Sequence, residues 1–117
     1  MPVAEGFVIE EQDVVGVRED GDTAEVRTTI NAAHGCERLE QQVLRFAPGR
    51  SHERGSDDRQ EALYVAAGRG TLQLEGVDYE LEPEDGVFIA PGETYTVDNA
   101  GPGELVVISV TSPETGE

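Results

Sequence analysis

Glu61 stands immediately before Ala62-Leu63-Tyr64-Val65, a run that reads as buried strand. A carboxylate entering such a strand needs a partner for its charge. Arg54 is the natural one, through a charge-assisted pair, with Tyr95 offering a hydroxyl to either group. His52 lies two residues before Arg54, so His52 and Tyr95 form a candidate acid and base beside which Arg54 or Arg45 could hold a substrate carboxylate. Arg45 sits in mid-strand between Leu44 and Phe46 and shares a face with Gln41 and Val43. It is an anion-binding candidate if that face turns inward and a partner for surface acid if it does not. The pair His34-Gly35-Cys36 has residue types suited to metal or nucleophilic chemistry, yet no further ligand follows at metal spacing, and Cys36 reads as a small buried residue at a strand entry. The expected ligand-binding set is therefore Arg45, His52, Arg54, Glu61 and Tyr95, with no catalytic residue assigned.

The elements that position these residues belong to a short chain. A length of 117 residues accommodates one domain, residues 1–117, with a single core. With 25 acidic and 8 basic residues the formal net charge is -17, and every basic residue is an arginine. Nucleic-acid binding needs clustered cations to displace counterions from phosphates, and no stretch supplies them. An anionic membrane surface is disfavoured for the same reason. The start, Met1-Pro2-Val3-Ala4-Glu5-Gly6, carries no basic segment followed by an apolar one, and no run approaches a membrane span. The single cysteine excludes an internal disulfide. The reading is a soluble cytoplasmic protein.

Helical periodicity is almost absent, while short alternating apolar runs recur between turn signals, the pattern of an all-β sandwich or barrel. Nine strands are expected: Val14 to Val17, Ala24 to Ile30, Leu39 to Phe46, Ala62 to Ala66, Gly70 to Leu74, Val77 to Leu81, Gly86 to Ile89, Tyr95 to Asp98 and Leu105 to Thr111. Glu19-Asp20-Gly21-Asp22 and Leu74-Glu75-Gly76-Val77 place glycine where a hairpin needs positive φ. Alternation puts Tyr95, Val97 and Asn99 on one face of their strand and Thr96 and Asp98 on the other. The Leu105 to Val110 run shows no polar face and reads as covered on both sides, by the core and by a partner sheet or subunit. Phe7-Val8-Ile9 is apolar enough to add an edge strand, and Ser112 to Glu117 reads as a frayed tail.

Two segments carry a family resemblance. Pro48-Gly49-Arg50-Ser51-His52-Glu53-Arg54, followed by Glu61 and, seven residues on, Gly68, is similar to the first conserved motif of the cupins, G-x5-H-x-H-x3-4-E-x6-G. Gly86-Val87-Phe88-Ile89-Ala90-Pro91-Gly92-Glu93-Thr94-Tyr95, closing on Asn99, resembles the second, G-x5-P-x-G-x2-H-x3-N. The resemblance covers about residues 39–111 and implies a cupin-type double-stranded β-helix, a jelly-roll β-barrel. In metal-binding cupins two histidines and a glutamate of the first motif and the histidine of the second hold one divalent ion. Here only His52 and Glu61 remain, while Arg54 and Tyr95 occupy the other two places. Arginine stays protonated and donates no lone pair, and a phenol with a pKa near 10 is an infrequent ligand for divalent ions. The interval from Arg54 to Glu61 is six residues, longer than the motif's three or four; realigned from the glutamate, the second histidine place falls at Ser56 or Asp57. The most generous set of ligands is then His52, Asp57, Glu61 and Tyr95, which leaves Fe, Mn, Ni or Zn as a candidate cofactor without the imidazole such ions favour.

The resemblance implies a small cupin barrel that binds a small molecule, anionic or sugar-like, at a degraded or absent metal site, as a homodimer or as the scaffold half of a larger arrangement. The alternative is an enzyme of isomerase, lyase or dioxygenase type, metal-dependent or metal-independent, acting on a small carboxylate or sugar derivative. Fold alone selects none of these.

Overall fold

The computed structural model describes residues 6–31 and 39–113; His34 and Cys36 lie outside the described residues. Ten strands are present among them: β1 (Ala24–Ile30), β2 (Glu40–Phe46), β3 (Gly49–Arg50), β4 (Arg54–Gly55), β5 (Arg59–Ala67), β6 (Gly70–Leu74), β7 (Val77–Leu81), β8 (Gly86–Ile89), β9 (Thr94–Asn99) and β10 (Leu105–Pro113). They form two antiparallel sheets. The first runs β1-β2-β10-β5-β8, and the second runs β3-β9-β6-β7 with β4 also paired to β9. Between them lies one apolar cluster that includes Leu44, Phe46, Leu63, Val65, Leu72, Val97, Leu105 and Val107.

Period-two alternation explains which residues enter that cluster. On β9, Tyr95, Val97 and Asn99 are buried while Thr96 and Asp98 are half-buried, as alternation requires. On β10, Leu105, Val107 and Ser109 point inward and Val106, Ile108 and Val110 outward. Turn chemistry fixes the connections. Glu75 and Gly76 both have positive φ in the β6–β7 hairpin, the pattern of a type I′ turn. Gly68, at φ +87°, packs so closely that a Cβ there would lie 2.4 Å from the Glu104 carbonyl oxygen, which accounts for glycine at this motif position. Asn99 ties the ends of three segments together. Its amide donates to the carbonyls of Phe46 and Gly103, each at 2.9 Å, and its oxygen accepts the Gly101 N–H at 2.8 Å.

Three expectations change. Val14 to Val17 is not a strand: only Val17 pairs, in an isolated bridge to Val26. The preceding 3-10 turn, Glu11–Asp13, is anchored on the outer face of the first sheet, because Arg27 donates to the Glu11 carbonyl at 3.2 Å and Arg45 to its carboxylate at 2.9 and 3.0 Å. From that anchor the chain crosses the edge of β1 and can align with it at one point only. Phe7-Val8-Ile9 lies outside every strand. Finally, β5 begins at Arg59 rather than Ala62, and β10 runs to Pro113, since the two strands continue pairing through Thr111↔Glu61, Ser112↔Gln60 and Pro113↔Arg59.

Candidate functional site

The inner face of the first sheet changes character along its strands. At one end it presents Ala24 and Val26 from β1, Phe46 and Leu44 from β2, Leu105 and Val107 from β10, and Val65 and Leu63 from β5. At the other end the same phase brings Thr28, then Gln42 and Glu40, then Ser109 and Thr111, then Glu61 and Arg59. Because neighbours run antiparallel, and Thr28 pairs with Gln42, Gln42 with Ser109, and Thr111 with both Glu40 and Glu61, all four polar ends collect at one end of the barrel. They border a cavity of about 680 Å³ that is closed on the other side by Val14, Val15, Val17, His52, Arg54, Ile89 and Tyr95, among others.

Glu61 is the centre of this polar end. Tyr95 is buried to 2 % exposure, yet its hydroxyl lies 3.1 Å from each Glu61 carboxylate oxygen. The Ser109 hydroxyl also donates to Glu61, through Oε2. Burial, and then the Glu61 charge, push the Tyr95 phenol far above its usual range, against the opposing influence of Arg54 beside it. Tyr95 therefore stays protonated and acts as a donor. Gln42 donates to Thr28 at 3.0 Å, which leaves its own oxygen as an acceptor at the wall of the cavity.

Arg54 pairs with Asp22 rather than with Glu61, its Nη1 lying 3.3 Å from Asp22 Oδ2. The reason lies in the turn before β1. Asp22 is buried, and its Oδ1 accepts the backbone N–H groups of His52 at 3.1 Å and Ala24 at 3.2 Å. Burial disfavours its charge, but those two N–H groups, then Arg54 and His52, outweigh that effect and hold its pKa below the usual value. An ionised Asp22 thus locks the His52–Arg54 segment against β1 and claims the guanidinium. His52 lies at the rim, with Nδ1 3.6 Å from Glu19 and 4.0 Å from Asp22, and is 43 % exposed.

Four of the five expected residues, His52, Arg54, Glu61 and Tyr95, therefore border one cavity. Arg45 does not. It lies on the outer face of the first sheet, bonded to Glu11 and, at 3.1 Å, to Glu104. Those acids hold it firmly protonated, the surface-acid alternative for this residue. Asp22, Gln42 and Ser109 are cavity-end residues that the sequence reading passed over. Asp22 looked like turn chemistry alone, but Gln42 and Ser109 fall in phase with Leu44 and Val107, and a polar residue in core phase was the available signal.

The donor set does not fit a resident divalent ion at the motif positions. The protonated Tyr95 phenol brings no anionic ligand, Arg54 places a permanent cation next to it, and Asp57 is exposed and outside the cavity lining. Among the described residues the group whose ligand atoms converge is Glu19, Asp22 and His52, within 4.8 Å of one another. It offers one imidazole, and Arg54 already occupies Asp22.

Comparison with known proteins agrees with this architecture. Solved structures that it resembles include a predicted oxalate decarboxylase from Thermotoga maritima, with a TM-score of 0.79 at 18% identity over 92% of this chain and 99% of that one. KdgF from Halomonas sp. superposes with a TM-score of 0.77 at 16% identity, covering 95% and 96% of the two chains. The polyketide cyclase RemF from Streptomyces resistomycificus gives 0.76 at 25% identity, covering 95% of this chain and 81% of its own. No curated protein matches the sequence. The fold is the double-stranded β-helix of these structures, and no helix among the described residues is long and apolar enough to cross a membrane. The family model for the cupin domain matches residues 42–111, more than half of the sequence, so the chain belongs to the cupin family.

Proposed function

We propose that this protein binds a small, neutral, hydroxyl-bearing molecule at the open end of its barrel, with Glu61 as the principal acceptor and no metal between them. The observation that carries this reading is the state of Glu61: a carboxylate at the cavity, held in place by Tyr95 and Ser109 and retaining lone pairs for further hydroxyl donors. Of the two ligand classes suggested by sequence, anionic and sugar-like, the charge balance favours the uncharged one. Glu19, Asp22, Glu40, Glu53 and Glu61 border the cavity, and its two arginines are already engaged, Arg54 by Asp22 and Arg59 by Glu40 at 3.4 Å. Thermal-shift titration with neutral polyols and, in parallel, with small carboxylates tests this. Polyols raise the Tm of the wild type and fail to raise that of Glu61→Gln; a response to carboxylates alone overturns the reading.

A second reading, metal-independent acid–base catalysis, is favoured by the contact between Glu61 and the protonated Tyr95, which pairs a base with a hydroxyl donor. RemF, described as a polyketide cyclase, supports an enzymatic use of such a barrel. Glu61 and Tyr95 replace His52 and Tyr95 as the reacting pair, because His52 lies at the rim with Glu19 and Asp22.

We further propose that the protein is a homodimer joined through the outer face of the first sheet. There Val43, Ile108 and Tyr64 form one cross-strand row, and Val110, Ala62 and Phe88 the next. Tyr64 and Phe88 are 47 % and 60 % exposed, an apolar patch suited to a second copy of itself.

A further inference from the structure

The cavity has two walls of different chemistry, and the difference narrows what can occupy it. One wall is the polar end of β2, β5 and β10, centred on Glu61. The other comes from the segment that crosses the edge of β1 and from that strand itself: Val14, Val15, Val17 and Val26. Val15 and Val17 border the cavity yet are 83 % and 61 % exposed, so the barrel mouth holds apolar surface that its own fold leaves in water. Ile89, paired with Glu61 across β5 and β8, extends apolar lining up to the carboxylate itself.

We infer that the occupant is amphipathic: a hydroxylated ring compound of two or three fused rings, with a hydroxyl on Glu61 and a hydrophobic face against Val15, Val17 and Val26. This rests on the proposed role of Glu61 as hydroxyl acceptor. A free sugar carries hydroxyls around its whole ring, and those pressed on the valine wall would lose water without gaining a partner. A flat aromatic or polycyclic body removes the same valines from water and gains from doing so. Size agrees, since about 680 Å³ falls within the range of about 300–1,000 Å³ typical of sites for drug-sized molecules. Charge agrees as well, because an anionic substituent would meet an acid-rich rim whose arginines are already paired.

The test uses naphthol as the ring probe, followed by its own fluorescence, and glucose as the polyol control, followed by calorimetry. Wild type, Glu61→Gln and the double variant Val15→Ser/Val17→Ser are compared. The two valines are exposed, so serine at both leaves the fold intact, which the unchanged Tm of the double variant verifies. Saturable naphthol binding is expected, weakened about tenfold by the valine pair and about tenfold by Glu61→Gln, with glucose bound less tightly than naphthol. Naphthol affinity unchanged by the valine substitutions, or glucose bound more tightly than naphthol in a manner that depends on Glu61, overturns the amphipathic occupant and leaves the hydroxyl-binding reading standing. Naphthol binding insensitive to Glu61→Gln, or no binding of either probe, overturns both.

Discussion

The closed and open ends of this barrel are built from the same strands, on the same face, in the same alternating phase, and they serve different ends. On β2 the inward series reads Phe46, Leu44, Gln42, Glu40; on β10 it reads Leu105, Val107, Ser109, Thr111; on β5 it reads Val65, Leu63, Glu61, Arg59. Each passes from apolar to polar near its midpoint; antiparallel pairing sets the β2 and β10 transitions side by side at Gln42 and Ser109, and that of β5 follows one inward pair later, where Glu61 faces Thr111. The apolar cluster lies on one side of that boundary and the polar groups proposed to bind a ligand on the other. A strand can hold both because position along the strand, rather than choice of face, separates them.

The largest effect on folding is expected at the closed end. Leu44→Ala deletes a side chain that is 1 % exposed and central to the cluster, and a loss of about 2–5 kcal/mol is expected in denaturant unfolding. Val107→Ala, smaller in the volume removed, costs less. Ligand affinity of whatever fraction remains folded stays at the wild-type level in both. A Leu44→Ala protein that keeps its stability but loses its ligand would abolish the division between the two ends.

At the open end the order reverses. Tyr95→Phe keeps the ring in the core and removes only the hydroxyl that donates to Glu61, so a stability change of about 1 kcal/mol is expected beside a clear loss of ligand affinity. The sign on folding is destabilising, because Glu61 retains Ser109 but loses its second donor. Tyr95 of the wild type stays un-ionised through neutral and moderately alkaline pH, since its phenol is pushed upward, and its tyrosinate absorbance appears only on unfolding. A Tyr95 that titrates normally in the folded protein would place its hydroxyl in water rather than on Glu61.

Asp22 gives the corresponding effect of pH. Its folded pKa lies below the unfolded value near 4, so it contributes stability that is fully present above that value and is lost as pH falls through the lower folded one. Urea midpoints measured from pH 6 downward are expected to fall more steeply for the wild type than for Asp22→Asn, whose stability lacks this component at every pH. Glu11, lowered chiefly by its hydrogen bonds from Arg45, adds a decline of the same sign, which Asp22→Asn retains. Parallel pH profiles for the two proteins would remove Asp22 as the anchor of the His52–Arg54 segment.

Most of the barrel was legible in the sequence because its signals are local. Alternation located the eight longer strands, and glycine at positive φ located the β6–β7 hairpin. The two-residue strands β3 and β4 escaped because so short a run has no period, and each contains a glycine; they exist only because β9 lies alongside to pair with them. The site was half legible. Residue type and spacing selected His52, Arg54, Glu61 and Tyr95, but which acid meets which base is a property of the folded chain. Arg54 and Asp22 are 32 residues apart in sequence, and nothing local distinguishes that pairing from Arg54 with Glu61. Arg45 shows the same limit from the other side: alternation gave its companions on the strand but not the direction in which that face points.

The smallest expected effect on folding comes from the face turned away from both ends. Tyr64 and Phe88 project from the outer surface of the first sheet, and changing exposed side chains there costs the isolated fold within about 0.5 kcal/mol. If that face joins two copies, Tyr64→Glu with Phe88→Glu places four carboxylates in the shared surface of a chain whose net charge is already -17, and sedimentation shifts from dimer to monomer while the monomer remains folded. Ligand affinity stays unchanged, because the cavity opens on the opposite face of the sheet. A wild type that sediments as a monomer would leave Tyr64 and Phe88 as ordinary exposed surface. A double variant that loses ligand affinity along with its partner would instead show that the two faces of this sheet are energetically coupled, with the dimer helping to hold Glu61 in place through β5, the strand that carries Tyr64 outward and Glu61 inward.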